Sequence, residues 1–147
     1  MFGTAQRGIS AYTSVGIETG VQTADAHKLV LMLYEGALLA LVEAKRHMGR
    51  RETAAKGAAL SKAIMIIDDG LKASLDINAG GELGERLAAL YDYMCERLLH
   101  ANLHNRPELI DEVSRLLTEL RGAWEEIRPA AAEAVRAQPA AVHPRAA

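Results

Sequence analysis

The chain has 147 residues, which fits one domain, and a formal net charge of −2. Charges of both signs are mixed along the sequence, which argues against a nucleic-acid-binding protein, because such a protein should show an obvious basic footprint. Alanine and leucine dominate and aromatic residues make up 4% of the chain, so the composition favours helices.

Residues 1–22 predict a tail that carries a few apolar anchor points. The segment is rich in glycine, serine and threonine, and Ile9, Tyr12 and Val15 are spaced along it. It has no apolar stretch of the kind that forms the centre of a secretory signal. Cys95 is the one cysteine of the sequence, so no intrachain disulfide can form. We therefore expect a cytoplasmic protein with a flexible N-terminal segment.

The first predicted helix begins at Asp25, which is a suitable N-cap, and ends near Met48, just before Gly49. Its apolar run, residues 29–42, contains Glu35 and is shorter than the roughly 20 residues that cross a bilayer, so we expect no stable membrane insertion. At about 100° per residue, one face of this helix enters the core. The residues on that face are Leu29, Leu33, Ala37, Ala40 and Ala44.

The same helix carries a second set of apolar residues. Leu31, Leu38 and Val42 lie nearly opposite the core face. Met32 and Leu39 lie on the flank between the two. Leaving such side chains in water forfeits roughly 1.5–3 kcal/mol each. Another segment of the chain, a second copy or a client must therefore cover them, unless this helix is deeply buried in the core.

The second predicted helix spans residues 53–77 and also has two apolar stripes. The core stripe consists of Leu60, Ile64, Ile67, Leu71 and Leu75. The second stripe consists of Ala59, Ile66, Gly70, Ala73 and Ile77. Inside a helix Gly70 costs about 1 kcal/mol relative to alanine, so it indicates either close packing of a neighbouring backbone or a shallow spot in a groove.

The third and fourth predicted helices have one apolar face each. After the loop signal Asn78-Ala-Gly-Gly, the third helix begins at Glu82 and ends near His104. Its stripe consists of Leu83, Leu87, Leu90, Met94, Leu98 and Ala101, with Tyr91 at the edge. The fourth helix begins at Pro107 and ends before Pro129. Its stripe consists of Leu109, Val113, Leu116, Leu117, Leu120, Trp124 and Ile127.

Four helices with short connections predict an all-α fold, an antiparallel up-down four-helix bundle over residues 23–128. We expect residues 1–22 to form a flexible lid. Residues 129–147 are rich in alanine and proline and are expected to be a disordered tail.

Enzyme chemistry is not expected. A di-iron bundle enzyme needs Glu-x-x-His on two helices, whereas Glu96 and His100 are four residues apart on the polar side of the third helix. His100 and His104 form half a zinc site at most, because no third ligand is recognisable. We expect no catalytic residue, no metal and no cofactor.

Four sequence blocks occur in a specific order and spacing. They are GISAY at 8–12; TADAHKL at 23–29 with MLYEGA at 32–37; KAIMII at 62–67 with GLKASLD at 70–76 and GGE at 80–82; and LYDYM at 90–94 with LLHAN at 98–102, IDEV at 110–113 and Trp124. Together they resemble the flagellin-specific export chaperone family of flagellated bacteria. The resemblance covers about residues 8–127. One departure is Asp25-Ala26, where that family often has Ser-Pro.

The resemblance implies a four-helix bundle whose N-terminal segment packs as a cap. It also implies a client, the otherwise disordered C-terminal region of flagellin, held in the cytoplasm. Holding that region would block premature polymerisation, and the chaperone would escort flagellin to the export gate of the flagellar secretion system. By the same resemblance, neither ATP nor a cofactor is involved.

The surplus apolar stripes offer this client a place to bind. We expect it to lie as an amphipathic helix in a groove, after displacing a lid that carries Ile9, Tyr12 and Val15. The predicted groove residues are Leu31, Leu38, Val42, Ile66, Gly70, Ala73, Ile77, Tyr91 and Asn102. The alternative is a self-associating structural bundle, a homodimer whose second stripes bury each other without a flagellin client.

Overall fold

Residues 23–75 and 77–127, which a computed structural model describes, fold into four helices. The helices are α1 (Thr23–Gly49), α2 (Thr53–Met65, continued by a π-helical segment at Ile66–Lys72), α3 (Ile77–His104) and α4 (Pro107–Glu126). The described residues contain no strand, so the predicted all-α four-helix class is confirmed. The lid residues Ile9, Tyr12 and Val15 and the predicted tail at 129–147 lie outside the described residues.

Contacts between helix ends show that α1 and α4 run antiparallel. Lys45, late in α1, donates to Asp111, early in α4, at 2.8 Å. At the other end of the bundle, His27 Nε2 donates to the Trp124 carbonyl oxygen at 2.7 Å, and the two rings stack with centroids 5.1 Å apart. Trp124 Nε1 donates in return to the His27 carbonyl oxygen at 3.0 Å.

Hydrogen bonds between α2 and α3 show that these two helices also run antiparallel. Lys56, early in α2, donates to the side chain of Asn105, just beyond α3, at 2.7 Å. Lys72, at the end of the π-helical segment, donates to Asp92 in the middle of α3 at 2.7 Å. The bundle therefore has the up-down order that short connections predict.

α1 ends at Gly49, within one residue of the predicted end near Met48, and a Schellman turn centred on Arg51 follows it. The Glu52 N–H donates to the His47 carbonyl at 3.0 Å, and the Arg51 N–H donates to the Met48 carbonyl at 3.1 Å. Arg51 adopts the left-handed conformation, with φ 58°, and Gly49 stays inside the helix. These hydrogen bonds to carbonyls of the last helical turn offset the strain of placing arginine there.

Two predicted helix starts are shifted. α1 begins at Thr23, so Asp25 lies in the first helical turn, where its charge still complements the helix dipole. α3 is counted from Ile77, but its backbone breaks at Gly81, which has φ 60° and ψ −139°. Glycine adopts this region at little cost, and the regular helix follows from Glu82 as predicted.

The predicted continuous second helix is interrupted by the π-helical segment. Asp69, Gly70 and Leu71 follow one another in it and are all buried. Consecutive residues of an α-helix point about 100° apart, so three consecutive side chains cannot all point into the same core. A π-helix has more residues per turn, which reduces that angle. Gly70, predicted on the outward stripe, therefore lies in the interior.

Small residues occupy the interior between α1 and α2. Ala37, Ala40 and Ala44 of α1 and Ala59 and Ala63 of α2 belong to one buried cluster, which we name the alanine seam. α1 packs more extensively along α2 than along α4. Because alanine ends at Cβ, two helices that face each other through it approach closely.

The remaining core positions of α1 are rotated by one residue from the prediction. Val30, Tyr34 and Leu41 are buried, whereas Leu29 and Leu33 are only half-buried. The prediction that Leu29 and Leu33 are core residues assumed that Tyr34 would lie at the boundary between core and solvent. Tyr34 can be buried instead because its hydroxyl has a hydrogen-bond partner inside the core.

Tyr34 and Tyr91 form a buried hydrogen-bonded pair between α1 and α3. Their hydroxyl oxygens are 2.6 Å apart. Burial raises the pKa of both phenols, so each keeps its proton and can donate or accept. The pair satisfies two hydroxyls that would otherwise be unpaired in an apolar interior.

The predicted stripes of α3 and α4 are largely confirmed. The buried members are Met94, Leu98, Ala101, Leu109, Val113, Leu117 and Trp124. The half-buried members that pack against the core are Leu87, Leu90, Leu116 and Leu120. Leu83 and Ile127 are exposed instead, because each lies at a helix end beyond the packed layer.

Lys56 is a buried lysine that caps the C-terminal end of α3. It is 4% exposed, and its Nζ donates to the Asn102 carbonyl at 3.0 Å and to Asn105 Oδ1 at 2.7 Å. Asn105 itself adopts the left-handed conformation, with φ 52°. A cation at this place satisfies acceptors and complements the negative end of the helix dipole.

We expect Lys56→Met to lower the free energy of unfolding by about 1–3 kcal/mol, because it keeps the aliphatic stem but leaves two acceptors without a donor. Urea denaturation at 25 °C measures the change. Lys62→Met, at an exposed position of the same helix, is the matched control and should stay within about 0.5 kcal/mol of the wild type. Equal effects of the two substitutions would contradict the capping role.

Candidate binding surface

An exposed apolar strip lies along α1. Met32, Leu39 and Val42 are 50%, 59% and 64% exposed, and we name them the α1 strip. They lie on the side of the helix turned away from the alanine seam. Covering each side chain is worth roughly 1.5–3 kcal/mol. The predicted surplus of apolar surface on α1 is therefore confirmed for the described part of the chain.

Leu31 and Leu38, predicted to lie on this outward face, are half-buried at its edge. Both pack against the core cluster. They share a stripe with His27 and Lys45, at spacings of four and seven residues, and both of those residues contact α4. α4 therefore shields one side of the two leucines, and of the three residues predicted there only Val42 is well exposed.

The second stripe of α2 is divided by the π-helical segment. Ile66 is half-buried, and its Cδ1 would lie 3.5 Å from a Cβ added at Gly36, an ordinary contact distance that places Ile66 against α1. Ala73 is exposed directly after the segment. Gly70 is buried within it, and the Ile77 side chain lies outside the described residues.

The two predicted groove residues on α3 are not part of the α1 strip. Tyr91 is buried and its hydroxyl is bonded to Tyr34, so the prediction that it lines a surface groove is wrong for this structure. Asn102 is half-buried, and its backbone carbonyl accepts from Lys56. The structure brings neither residue together with Val42.

α3 carries exposed leucines that the sequence reasoning missed. Leu99 and Leu103 are 53% and 74% exposed, and their spacing of four residues makes them neighbours on the helix. The signal was present, because Leu99 directly follows the core residue Leu98 and must point about 100° away from it. α3 therefore has more than the one apolar face predicted for it.

A polar cluster joins α3 to α4 at the surface. The Tyr93 hydroxyl donates to Glu112 Oε2 at 2.5 Å, and Arg97 Nε donates to Glu112 Oε1 at 2.9 Å. The guanidinium carbon of Arg97 lies 5.5 Å from the centroid of the Tyr93 ring. The hydrogen bond from Tyr93, followed by that from Arg97, lowers the pKa of the Glu112 carboxyl.

Cys95 does not have the surroundings of a nucleophile. Burial, reinforced by the charges of Asp68 and Asp92, raises the pKa of its thiol to about 12. A thiolate is the reactive form, so this thiol is almost entirely unreactive near neutral pH.

The described residues contain neither a metal-binding cluster nor a membrane-spanning helix. The rings of His100 and His104 stack with centroids 6.0 Å apart, but residues 23–75 and 77–127 hold no group of three His, Cys, Asp or Glu placed to bind a metal ion. Within the same ranges no helix combines the length and the hydropathy needed to cross a membrane.

Comparison with known proteins identifies the family. The sequence model of the flagellar protein FliS matches residues 8–131. The chain belongs to the FliS family. It is 50% identical to the flagellar secretion chaperone FliS of Salmonella typhimurium over 124 residues, which is 84% of this chain and 92% of the relative.

Two further FliS relatives show that the likeness extends along almost the whole fold. The flagellar secretion chaperone FliS of Escherichia coli is 44% identical over 83% of this chain and 90% of its own length. The flagellar secretion chaperone FliSB of Pseudomonas aeruginosa is 42% identical over 84% of this chain and 97% of its own length.

We expect Glu112→Gln to lower the stability of this FliS-family chain by up to about 1 kcal/mol at pH 7. Because folding lowers the pKa of Glu112, its contribution is present above the ordinary carboxyl pKa and is lost as the pH falls through the lowered value. Urea unfolding at pH 7 and at about pH 3 tests this. Glu119→Gln, at an exposed site of α4, is the control, and a difference independent of pH would refute the assignment.

Proposed function

We propose that this chain is a cytoplasmic chaperone that binds the disordered C-terminal region of flagellin, prevents its premature polymerisation and escorts it to the flagellar export apparatus. The observation that carries the proposal is the α1 strip, an apolar surface left open by a protein whose relatives are named flagellar secretion chaperones. No catalysis, ATP or cofactor enters this function.

The α1 strip suits an amphipathic helix of the client. Met32, Leu39 and Val42 extend over eleven residues of α1, a rise of about 15 Å. A client helix of about three turns, with apolar residues spaced by three, four and seven, would place one face along them. Exposed Lys28 and Glu35 lie on the same side of α1 as the strip, with Glu35 between Met32 and Leu39 along the chain, and they offer the client charges of both signs.

The energetics require more than the α1 strip alone. Ordering a disordered segment on binding costs about 2–5 kcal/mol or more. Covering three side chains contributes roughly 1.5–3 kcal/mol each before the loss of translational freedom is counted. The half-buried residues beside the strip, Leu31, Leu38 and Ile66, are the additional apolar contacts that we assign to the client.

Binding of the client to the α1 strip accounts for both proposed roles, the prevention of polymerisation and the delivery to the export apparatus. Flagellin whose apolar terminal face lies on the α1 strip has no free face with which to join another flagellin. The same complex is a soluble unit that can be delivered to the export gate. We assign the N-terminal residues Ile9, Tyr12 and Val15 to a lid that occupies the strip until the client arrives, with docking to the export gate as a second role for Tyr12.

We expect Leu39→Asp and Val42→Asp each to weaken binding of a flagellin C-terminal peptide at least tenfold, because each places a charge in the proposed contact. Both side chains are well exposed, so urea unfolding of the free protein should change little. Ala89→Asp, which adds the same charge at an exposed position of α3, is the matched control. Isothermal titration calorimetry measures the three affinities, and normal binding by both α1 variants would refute the site.

Deleting residues 1–22 should tighten the peptide complex, since a lid competes with the client for the same surface. Calorimetry on the truncated and full-length chains gives the comparison, and unchanged or weaker binding would remove the lid from the proposal.

Light scattering separates the chaperone from the alternative homodimer. A client-binding chaperone forms a one-to-one complex when flagellin is added. A structural dimer keeps its mass and ignores flagellin, and this result would favour the self-associating bundle.

A further inference from the structure

Asp69 is a polar residue whose interior position the bundle does not explain. It is 9% exposed, and among residues 23–75 and 77–127 no donor lies within hydrogen-bond distance of its Oδ2. A buried carboxylate without a partner is strongly unfavourable, and buried polar groups in native structures are normally paired. An unpaired group of this kind therefore calls for a reason.

The local charges make the position more unfavourable. Asp68 is the adjacent residue, and its negative charge adds to the effect of burial in raising the pKa of the Asp69 carboxyl. The cation of the π-helical segment, Lys72, is already paired with Asp92 at 2.7 Å. The segment thus holds two carboxylates for which it supplies no free cation of its own.

The location links Asp69 to the proposed client surface. It lies in the π-helical segment between Ile66 and Ala73, which are both predicted groove residues. π turns are uncommon in proteins and occur frequently at functional sites. Asp69 follows Ile66 by three residues and precedes Ala73 by four, so the helical spacing places it on the same side of α2 as both.

We propose that Asp69 is a binding site for a cationic side chain, a lysine or arginine, of the bound client segment, and that it fixes the client's register on α2. This inference rests on the proposed function. A neutral donor would complete the hydrogen bonding of Oδ2 but would bring no positive charge to this carboxylate or to Asp68. A cation satisfies both, and charge-assisted hydrogen bonds are roughly twice as strong as neutral ones.

Because Oδ2 is enclosed in the free bundle, the π turn must shift to admit the cation. The free protein therefore carries an unfavourable charge that the client relieves. Removing the charge of Asp69 should therefore change the stability of the free chain and its affinity for the client in opposite directions. Removing the charge stabilises the free chain and weakens the complex, whereas a residue with a purely structural role would lower stability when replaced.

The test uses the full-length chain and a synthetic peptide of the flagellin C-terminal region. For Asp69→Asn we expect a higher urea midpoint than wild type and peptide binding at least tenfold weaker by calorimetry. Asp68→Asn, the adjacent and more exposed carboxylate, is the matched control and should change affinity less than threefold. An Asp69→Asn chain that is less stable than wild type, or that binds normally, overturns the inference.

The peptide provides an independent arm. Each lysine and arginine of the peptide is replaced in turn by glutamine. One replacement should weaken binding to the wild-type chain at least tenfold and have no further effect on Asp69→Asn. If no cationic residue couples to Asp69, the inference fails although the proposed function stands. If the unaltered peptide does not bind the wild-type chain, the proposed function fails first.

Discussion

The alanine seam sets the distance between α1 and α2, and much of the molecule follows from that distance. Ala37, Ala40 and Ala44 fill core positions that larger residues would occupy in most bundles. Three large apolar residues of the same helix, Met32, Leu39 and Val42, face outward. α1 thus buries Val30, Tyr34 and Leu41 together with these alanines and still leaves three large apolar side chains open to a partner.

Binding capacity of this kind works against the stability of the free protein. Each exposed side chain of the α1 strip forgoes favourable burial, and Asp69 adds a buried oxygen, Oδ2, for which the described residues supply no hydrogen-bond partner. Elsewhere the bundle is closed by specific polar contacts, including the Tyr34–Tyr91 pair and the Lys56 cap. These fix the alignment of the helices while the surface of α1 and the π-helical segment remain suited to a partner.

Helical periodicity was sufficient to predict the four helices, and it placed Leu60, Ile67, Leu98 and Leu117 correctly in the core. It failed where a local feature breaks the 100° step. The π turn brings Gly70 inward, a change of backbone geometry that no residue pattern announced. Tyr34 and Tyr91 are buried because each satisfies the other, and a pairing across 57 positions of sequence is invisible to any local window. For the candidate site, the sequence predicted that α1 carries more apolar surface than the core can bury. It did not predict that α4 would shield Leu31 and Leu38.

The environment of Cys95 has a consequence for how the protein withstands oxidation. Because burial raises the pKa of this thiol to about 12, very little thiolate is present at pH 7. Peroxide and disulfide reagents act on thiolates, so the chain resists covalent cross-linking to its own copies even though it has a cysteine. The same inertness makes it a convenient host for fluorescent labelling, since a cysteine introduced on the solvent side of α1 would react far sooner than the native one.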